Sequence, residues 1–428
     1  MKLKNKQISI FDKKANTEFT DNYVSPYSYI GDYSLEEIFS FYNKLNEDTS
    51  HFTCRDDICT PMECVKLMVD YIPMDFWRKE NIKILDPCCG NGNFGAYCAQ
   101  KTNPDNIYYN EINPIRLKNC INLLKPLHWH YGDIFNLNSE FDIKYDLIIA
   151  NPPYSGGGNK NQSLSNLFIE LAINKLNKGG YLCFVTPNNW MTYNNNNTTL
   201  NKLLNEGSFV VIDNDVKKYF KNIGSSFTVI VWQKEVFSNK TKIINNYIIK
   251  DIQEDIVIPH DMKFLPLYLS QQVISITRKL ITSERNLFNY RCDLHNFTQK
   301  SHLNDIKTER FKYRTIHTVK KVRYADMKQD IYDKWVIIIP LSTYYIPFIE
   351  YNVNTTQSVG YIAFDEKNQA KNYLENITKK HFKLLVHLTR YGNFNNLMVL
   401  KHINFDEKIN FTAQEEEEID KLSSYIKY

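Results

Sequence analysis

Four consecutive residues, Asn151-Pro152-Pro153-Tyr154, carry the side chains best suited to chemistry in this sequence, and they follow an apolar segment, 145–150, that predicts a strand. The side-chain oxygen of Asn151 and the backbone carbonyl of Pro152 can accept the two hydrogens of a planar NH2 group. Its nitrogen lone pair is then free to attack. The prolines stiffen the loop, and Tyr154 offers a ring on which a flat base can stack. The pattern predicts methyl transfer to a conjugated amine; the alternative is a plain turn after a strand.

A second candidate site is the segment 86–94, Asp-Pro-Cys-Cys-Gly-Asn-Gly-Asn-Phe, which follows another predicted strand. Gly90 and Gly92 permit a tight turn where a ligand can approach the backbone closely. Glu111 ends the next predicted strand, 25 residues after the segment begins, at a place where an acidic side chain commonly binds ribose hydroxyls. Asp133 ends the third strand, where a carboxylate can accept a hydrogen bond from an adenine amino group. Together these residues predict a pocket for an adenosine-containing cofactor.

The cofactor expected in this pocket is S-adenosylmethionine. A nicotinamide cofactor is disfavoured because the loop lacks the third glycine and the long pyrophosphate cradle. The ammonium and sulfonium centres of S-adenosylmethionine suit acidic, carbonyl-lined strand ends, and Asp86 is the candidate partner of the ammonium. Three further side chains are candidate apolar walls for the adenine: Ile112, Ile134 and Phe168.

Composition limits the classes of protein to consider. The chain has 428 residues, which predicts more than one domain, and a net charge of only +4, so any nucleic-acid surface must be a local patch. Its nine cysteines show no CxxC spacing, which indicates free thiols in a reducing compartment and no structural metal. No signal core and no apolar run of membrane-spanning length is present. We expect a soluble, cytoplasmic protein without a metal.

Alternating strands and helices are predicted to position these residues. The helices are expected at 61–71, with Thr60 as the cap, and at 166–176, where Gly179-Gly180 stops the helix. The strands are expected at 81–85, 107–110, 127–131, 145–150, 181–186, 209–213 and 227–232. Such alternation predicts an α/β fold with a parallel, doubly wound sheet and ligands at the carboxyl ends of its strands. The last strand is expected to be the antiparallel edge.

The chain is expected to have three parts. Residues 1–50 form an N-terminal arm or cap, residues 51–240 the catalytic domain, and residues 241–428, where the alternation fades, a second domain.

The ordered motifs resemble a known family. The series Thr60-Pro61, segment 86–94, Asn110-Glu111, Gly132-Asp133 and segment 151–154 resembles that of the amino-group DNA methyltransferases. Its order is similar to the γ class of N6-adenine enzymes from restriction–modification systems. The resemblance covers roughly residues 55–235. It implies a Rossmann-like S-adenosylmethionine-dependent methyltransferase sheet, followed by a C-terminal mixed α+β target-recognition domain.

The resemblance also implies roles for particular residues. The residues expected to line the cofactor site are Thr60, Asp86, Cys88, Gly90, Gly92, Glu111, Ile112, Asp133, Ile134, Asn151 and Phe168. Catalysis is expected of Asn151, Pro152, Pro153 and Tyr154, together with a second aromatic that stacks on the extruded base. Phe220 matches that aromatic best, Tyr219 is its neighbour, and Phe227 is expected in the core. The family often carries another pair where Cys88-Cys89 stands here.

The expected partner is double-stranded DNA, with a restriction endonuclease encoded separately. Basic residues interleaved with aromatics suit phosphate contact; they are Lys307, Arg310, Lys312, Arg314, Lys320, Lys321 and Arg323. A weaker cluster comprises Lys379, Lys380, Lys383 and Arg390 with Tyr391. Methylation of RNA bases, of cytosine N4 or of a protein glutamine amide remains open, because the loop chemistry is the same. An inactive specificity subunit is the non-enzymatic alternative.

Overall fold

The computed structural model describes residues 29–47, 59–154, 164–194, 197–220, 226–238, 240–342, 344–405 and 408–426. Among these residues no helix has both the length and the hydropathy needed to cross a bilayer. The eight cysteines in the same ranges are free thiols.

A nine-stranded sheet forms the centre of the described chain. Its strands are β1 Ile84–Asp86, β2 Ile107–Glu111, β3 His128–Tyr131, β4 Tyr145–Ala150, β5 Leu176–Pro187, β6 Gly207–Asp213, β7 Phe227–Lys234, β8 Thr241–Ile244 and β9 Gln253–Ile256. They are arranged in the order β3-β2-β1-β4-β5-β7-β6-β8-β9. The first five strands are mutually parallel, as the alternation of strands and helices predicts.

The expectation that the strand at 227–232 forms the edge of the sheet is wrong. β7 is antiparallel, but it lies between β5 and β6 and pairs with both. Its first six residues are all buried, and five of them are apolar; a nearly continuous apolar run is typical of a strand covered on both faces. The run therefore indicates an interior position.

The sheet continues past residue 240, where the first domain was expected to end. β8 pairs in parallel with β6, and β9 pairs antiparallel with β8. Both strands are short, and several of their side chains are exposed. Because they lack the apolar runs of the inner strands, they give a weak sequence signal.

Helices cover both faces of the sheet: α1 Leu35–Glu47, α2 Met62–Asp70, α3 Met74–Trp77, α4 Asn93–Cys98, α5 Pro114–Leu124, α6 Leu164–Lys175 and α7 Thr198–Asn205. Side chains from α1, α2, α4 and α5 form one apolar core, and side chains from α6 and α7 form the other. α2 begins after Pro61 without a side-chain cap, so Thr60 is not its capping residue. α6 ends at Lys175, before Gly179-Gly180, because β5 already begins at Leu176.

The remaining residues form a mixed α+β region. Its strands are β10 Leu303–Asn304, β11 Tyr313–Ile316, β12 Val322–Ala325, β13 Trp335–Pro340, β14 Phe348–Tyr351, β15 Asn354–Thr355 and β16 Val359–Phe364. Its helices are α8 Gln271–Leu280, α9 Lys367–Ile377, α10 Lys380–Leu388, α11 Leu397–His402 and α12 Ala413–Tyr425. The strands form two small sheets, β10-β12-β11-β15 and β14-β13-β16.

This region packs directly against the central sheet. The amide of Leu265 donates to the carbonyl of Met191 at 2.9 Å, and that of Leu267 to the carbonyl of Leu388 at 2.8 Å. Side chains of Leu265 and Leu267 belong to one of the two cores beside the sheet. The segment around them therefore joins the sheet to α10.

Candidate functional site

The loops that carry the two sequence motifs, 86–94 and 151–154, meet at the carboxyl-terminal ends of the parallel strands. β1 and β4 are parallel neighbours, with Leu85 opposite Ile148, so their carboxyl ends lie side by side. The thiol of Cys88, in the loop after β1, donates to the backbone carbonyl of Asn151, after β4, at 3.6 Å. The glycine turn and the Asn-Pro-Pro-Tyr corner are therefore in direct contact.

The two glycines of the turn both have left-handed backbone conformations, with φ of +56° at Gly90 and +94° at Gly92. A Cβ at Gly92 would lie 2.6 Å from a methyl carbon of Leu124, so a larger residue there would also clash with α5. A Cβ at Gly90 would meet no atom within 4 Å. Gly90 therefore leaves space over the backbone, which is what a bound ligand requires.

The Glu111 carboxylate shapes this turn from the end of β2. One of its oxygens accepts from the amide of Gly90 at 2.8 Å, and the other from the amides of Ile112 at 2.9 Å and Asn113 at 2.8 Å. Glu111 therefore holds the turn from the end of β2, the place where an acidic side chain commonly binds ribose hydroxyls.

Asp86 is the most unusual charged group at the site. It is only 1% exposed, and its Oδ1 accepts a long hydrogen bond of 3.4 Å from the amide of Cys88. Its Oδ2 is buried without a hydrogen-bond partner among the described residues. Burial, with the negative charge of Glu111 adding, raises the pKa of Asp86 well above its ordinary value. A buried carboxylate oxygen without a donor fits a ligand that brings a cation such as an ammonium.

The N-terminal helix α1 takes part in the framework of the site, which sequence reasoning missed. The carbonyl of Thr60 accepts from the side-chain amides of Asn93, at 2.8 Å, and Asn46, at 3.1 Å. The hydroxyl of Tyr42 in α1 donates to the carbonyl of Asn91 at 3.2 Å. Thr60 is 4% exposed, so its contribution here comes from its backbone.

The residues expected around the adenine lie beside the end of β3. Asp133 accepts from the amide of Phe135 at 3.1 Å, while Ile134 and Phe168 are buried and Ile112 is partly exposed. The ring of Phe135 is 44% exposed and lies edge-on to Phe168 at 5.5 Å. Sequence reasoning missed Phe135 as a candidate wall of the pocket, although it directly follows Ile134.

In the Asn-Pro-Pro-Tyr corner, the side chain of Asn151 is already engaged. Its Oδ1 accepts from the hydroxyl of Tyr154 at 2.7 Å. Its Nδ2 is buried without a hydrogen-bond partner in the described chain. Pro152 is buried and Pro153 is partly exposed. The amide oxygen predicted to bind a target amine thus has an internal donor in this conformation.

Three aromatic rings pack in series, beginning with Tyr154 of the corner. Tyr154 lies 5.2 Å from Phe227, and Phe227 lies 5.1 Å from Phe220, with planes inclined by 54° and 29°. Phe220 is 2% exposed and Phe227 1%; Tyr219 is partly exposed. Phe227 thus lies in the core, as expected, but it fills the space between the two rings expected to hold a base.

A buried polar pair at the start of β7 was not identified from the sequence. Asn188, one residue past β5, is 1% exposed and accepts from the hydroxyl of Thr228 in β7. Its Nδ2 has no hydrogen-bond partner within the described ranges. The amide of Asn188 donates to the carbonyl of Ser226 at 3.2 Å, so this pair fixes the start of β7 beside Phe227.

The basic stretch around the β11–β12 hairpin carries less free charge than its sequence suggests, because four of its seven cations pair with carboxylates. Arg314 makes two hydrogen bonds to Glu350, at 2.7 and 3.0 Å. The other pairs are Arg310 with Asp326 at 3.2 Å, Lys321 with Asp305 at 3.4 Å and Arg323 with Asp305 at 2.7 Å. Lys307, Lys312 and Lys320 are exposed. These three are the cations of the stretch best placed to meet phosphates.

The order of the central strands defines the class of fold. Five parallel strands in the order β3-β2-β1-β4-β5, followed by an antiparallel β7 inserted before β6, form the Rossmann-like α/β sheet that the resemblance implies for a methyltransferase. The glycine turn after β1 and the acidic residue at the end of β2 lie at the carboxyl ends of the strands, where such sheets bind ligands.

Part of the chain is similar to methylases of restriction–modification systems. Residues 93–220 match the family described as Eco57I restriction-modification methylase. The chain is 29% identical over 149 residues to the Type II methyltransferase M.VspI from Vibrio sp. (strain 343), a match that covers 29% of this chain and 35% of that protein. The match thus spans about a third of the length of its relative.

Two solved structures are similar over most of the chain. The Type IIL restriction-modification enzyme MmeI, solved in complex with DNA, has a TM-score of 0.56 and 11% identity, with 89% of this chain and 69% of MmeI covered. The DrdV–DNA complex has a TM-score of 0.52 and 12% identity, with 91% and 59% covered. At these identities the likeness is one of fold.

Proposed function

We propose that this protein is an S-adenosylmethionine-dependent DNA methyltransferase that modifies N6 of an adenine extruded from duplex DNA. The observation that carries the proposal is the contact between the corner at Asn151 and the loop at Cys88. The contact supports the proposal because it joins the loop that holds the expected amine acceptors to the loop that holds the expected cofactor turn. The relationship to restriction–modification methylases makes DNA the substrate class of choice.

The residues present fit this cofactor. Asp86 offers a buried oxygen without a donor for the ammonium, Glu111 can accept from ribose hydroxyls, and Asp133 can accept from the adenine amino group. Ile134, Phe135 and Phe168 are candidate walls for the adenine ring. When bound, S-adenosylmethionine supplies an electrophilic methyl group on its sulfonium.

The chain's own part in the reaction is to position and polarise the target amine. Asn151 Oδ1 and the carbonyl of Pro152 each accept one hydrogen of the N6 amino group, which turns its lone pair away from the ring. The freed lone pair would then face the methyl group that bound S-adenosylmethionine would supply, and the proton that the methylated nitrogen loses would pass to solvent. Positioning and electrostatics supply most of the rate enhancement, so no strong base is needed.

The target must leave the helix before this chemistry can occur, since N6 cannot be reached while the base is stacked. Once its ring has moved off Phe227, Tyr154 would stack on the extruded base, which offsets an unstacking cost of a few kcal/mol. Phe220 is the candidate for the opposite face. Cytosine N4 is an exocyclic amine of the same kind, and the corner by itself does not discriminate against it.

The deciding experiment is transfer of tritiated methyl groups from S-adenosylmethionine to unmethylated plasmid DNA, with total RNA and protein as parallel acceptors. We expect label in DNA, recovered as N6-methyladenine after digestion to nucleosides. Label recovered as N4-methylcytosine, or only in RNA or protein, would overturn the adenine assignment.

Asn151→Ala tests the assigned chemistry within the same assay. We expect its single-turnover rate on DNA to fall by at least about 100-fold, because the loss of a single positioned hydrogen-bonding group can have that effect. Its affinity for S-adenosylmethionine should stay nearly unchanged. Asn205→Ala, at the exposed end of α7, is the matched control and should behave as the wild type. Equal losses of rate and cofactor affinity in Asn151→Ala would contradict the role.

The cognate endonuclease is proposed to be a separate protein. Incubation of purified protein with Mg²⁺ and unmethylated plasmid should therefore leave the plasmid uncut. Cleavage by the purified chain would overturn this part of the proposal.

A further inference from the structure

A loop of the C-terminal region lies beside the aromatic rings of the candidate site. Residues 390–394 follow α10, and we call them the Arg390 loop. The hydroxyl of Ser226 donates to the carbonyl of Tyr391 at 3.3 Å. Ser226 directly precedes Phe227, whose ring lies 5.2 Å from Tyr154. The loop is therefore hydrogen-bonded to the residue that precedes Phe227, the ring that lies between Tyr154 and Phe220.

The Arg390 loop is held at both ends by buried groups. Tyr391 is 6% exposed, and its hydroxyl donates to the carbonyl of Leu265 at 2.7 Å. At the other end, the side chain of Asn395 donates to the carbonyl of Pro340 at 2.8 Å, and its amide donates to the carbonyl of Leu341 at 2.8 Å. Gly392, Asn393 and Phe394 between them are exposed. A short segment fixed at both ends presents its exposed side chains in a defined place.

The guanidinium of Arg390 is oriented by neutral partners. Its Nη2 donates to the carbonyls of Asn393 at 2.8 Å and Ser342 at 3.4 Å, and its Cζ lies 5.6 Å from the centre of the Tyr344 ring. No carboxylate pairs with Arg390 among the described residues, whereas Arg310 and Arg314 each have one. Arg390 therefore keeps its full positive charge available to an anion.

Two large aromatic side chains flank this charge at the surface. Phe394 is 65% exposed and Tyr344 is 48% exposed. Exposed aromatics beside an unneutralised arginine suit nucleic acid, because a phosphate can pair with the guanidinium and a base can stack on an aromatic ring. A carboxylate of an acidic protein could also pair with Arg390, but such a partner would not account for the exposed ring of Phe394.

We propose that the Arg390 loop contacts the duplex at the target base, with Arg390 on a backbone phosphate beside the extruded nucleotide and Phe394 stacked on a base exposed by the extrusion. This inference rests on the proposed DNA methylation and adds its contact surface. It assigns the DNA contact nearest the reacting base to this loop rather than to the β11–β12 hairpin.

The test compares variants on a duplex oligonucleotide that contains the site found by methylome sequencing of a methylation-free host expressing the protein. Phe394→Ala should raise the KM for DNA by about 5- to 150-fold, the range expected when one stacking aromatic is removed. Its dissociation constant for S-adenosylmethionine should not change. Phe237→Ala is the matched control, because Phe237 is 59% exposed and follows β7, whose other end lies at the site.

Arg390→Gln should reduce the slope of log affinity against log salt by about 1, the contribution of one phosphate contact. Arg390→Lys, which keeps the charge but loses the planar fork, should restore most of that slope. Arg78→Gln, an exposed arginine paired with Asp75, is the control and should leave the slope unchanged.

The outcomes separate this inference from the proposed function. If the wild type methylates DNA while Phe394→Ala and Arg390→Gln match their controls, the loop assignment is overturned. If Arg390→Lys is as defective as Arg390→Gln, Arg390 acts in folding the loop and the phosphate contact is overturned. A wild type that transfers no methyl group to DNA refutes the proposed function itself.

Discussion

The phenolic hydroxyl of Tyr154 donates a 2.7 Å hydrogen bond to the side-chain oxygen of Asn151. The same ring packs against Phe227. The oxygen proposed to accept from the target amine is therefore bonded within the corner, and the ring proposed to stack on the base lies against another ring. We therefore expect the Tyr154 ring to move off Phe227 and release Asn151 before a base is bound, and we call the arrangement in the structure the closed state.

Tyr154→Phe tests this closed state, because it keeps the ring and removes the internal donor. A typical hydrogen bond contributes about 0.5–1.5 kcal/mol net, so its removal should raise kcat/KM for DNA by about 2- to 10-fold. The measurement is steady-state methylation of an oligonucleotide that contains the recognised site.

Tyr154→Ala is the companion variant and should lower kcat/KM for DNA, because it also removes the stacking ring. A Tyr154→Phe enzyme as impaired as Tyr154→Ala would show that the hydroxyl has a positive role in catalysis, and the closed-state interpretation would fail.

Much of the fold was predictable because its signals are local. Apolar runs at 107–110 and 145–150 indicate β2 and β4 nearly to the residue. The position of β7 was not predictable in the same way, because the order of strands in a sheet depends on pairing between segments that are distant in the chain. β7 pairs with both β5 and β6. β8 and β9 were missed because short strands with exposed side chains carry little hydrophobic periodicity.

The site was predictable as a set of positions but not as a set of contacts. The order of the motifs places Asp86 and Asn151 at one edge of the sheet, and β1 and β4 do end together there. The sequence could not reveal that Tyr154 bonds Asn151, nor that four of the basic residues near the β11–β12 hairpin have carboxylate partners. The first contact depends on side-chain conformations within the corner, and the ion pairs join residues that are distant in the chain. A single sequence carries no record of either.

Asp86 gives a prediction about pH and stability. Burial raises its pKa, so the folded protein binds this proton more tightly than the unfolded chain does. The contribution of Asp86 to folding is therefore most favourable below the ordinary aspartate pKa near 4. It declines as the pH rises through the raised folded pKa.

Asp86→Asn should accordingly stabilise the cofactor-free protein at pH 7, by about 1–3 kcal/mol, since it removes a poorly compensated buried charge. It should also weaken S-adenosylmethionine binding by at least about 10-fold through loss of the ammonium partner. Denaturant unfolding and cofactor titration measure the two effects. A destabilised variant with normal cofactor affinity would show that Asp86 serves the fold alone.

Variants of Phe227 and Phe220, two rings of the series Tyr154–Phe227–Phe220, distinguish a role in the core from a role in stacking on the base. Phe227 is 1% exposed in the core beside α2 and α4, so Phe227→Leu should lower the free energy of unfolding by about 1 kcal/mol or more. Phe220→Leu should lower the fluorescence of 2-aminopurine placed at the target position, because one face of the extruded base loses its ring. An unchanged signal in Phe220→Leu would transfer the stacking role to Tyr219, which is partly exposed.

The basic residues near β11 and β12 fall into two groups. Some pair with carboxylates and are expected to stabilise the fold, and the others are expected to meet DNA. Arg314 makes two hydrogen bonds to Glu350 across the two small sheets, and both side chains are partly exposed. Arg314→Gln should therefore cost about 1 kcal/mol of stability and leave the salt dependence of DNA binding unchanged. Lys307 and Lys320 are exposed, and neither forms an ion pair within the described ranges.

The double variant Lys307→Gln, Lys320→Gln should leave stability unchanged and reduce the slope of log affinity against log salt by up to about 2, one for each phosphate that a lysine no longer neutralises. Urea unfolding and fluorescence anisotropy on the same duplex give both quantities. A reduced slope in Arg314→Gln, with none in the double variant, would reverse the assignment. Since the pair with Glu350 already uses both arms of the guanidinium, Arg314 could reach a phosphate only by breaking that pair, and this explains why the two classes of cation should respond differently.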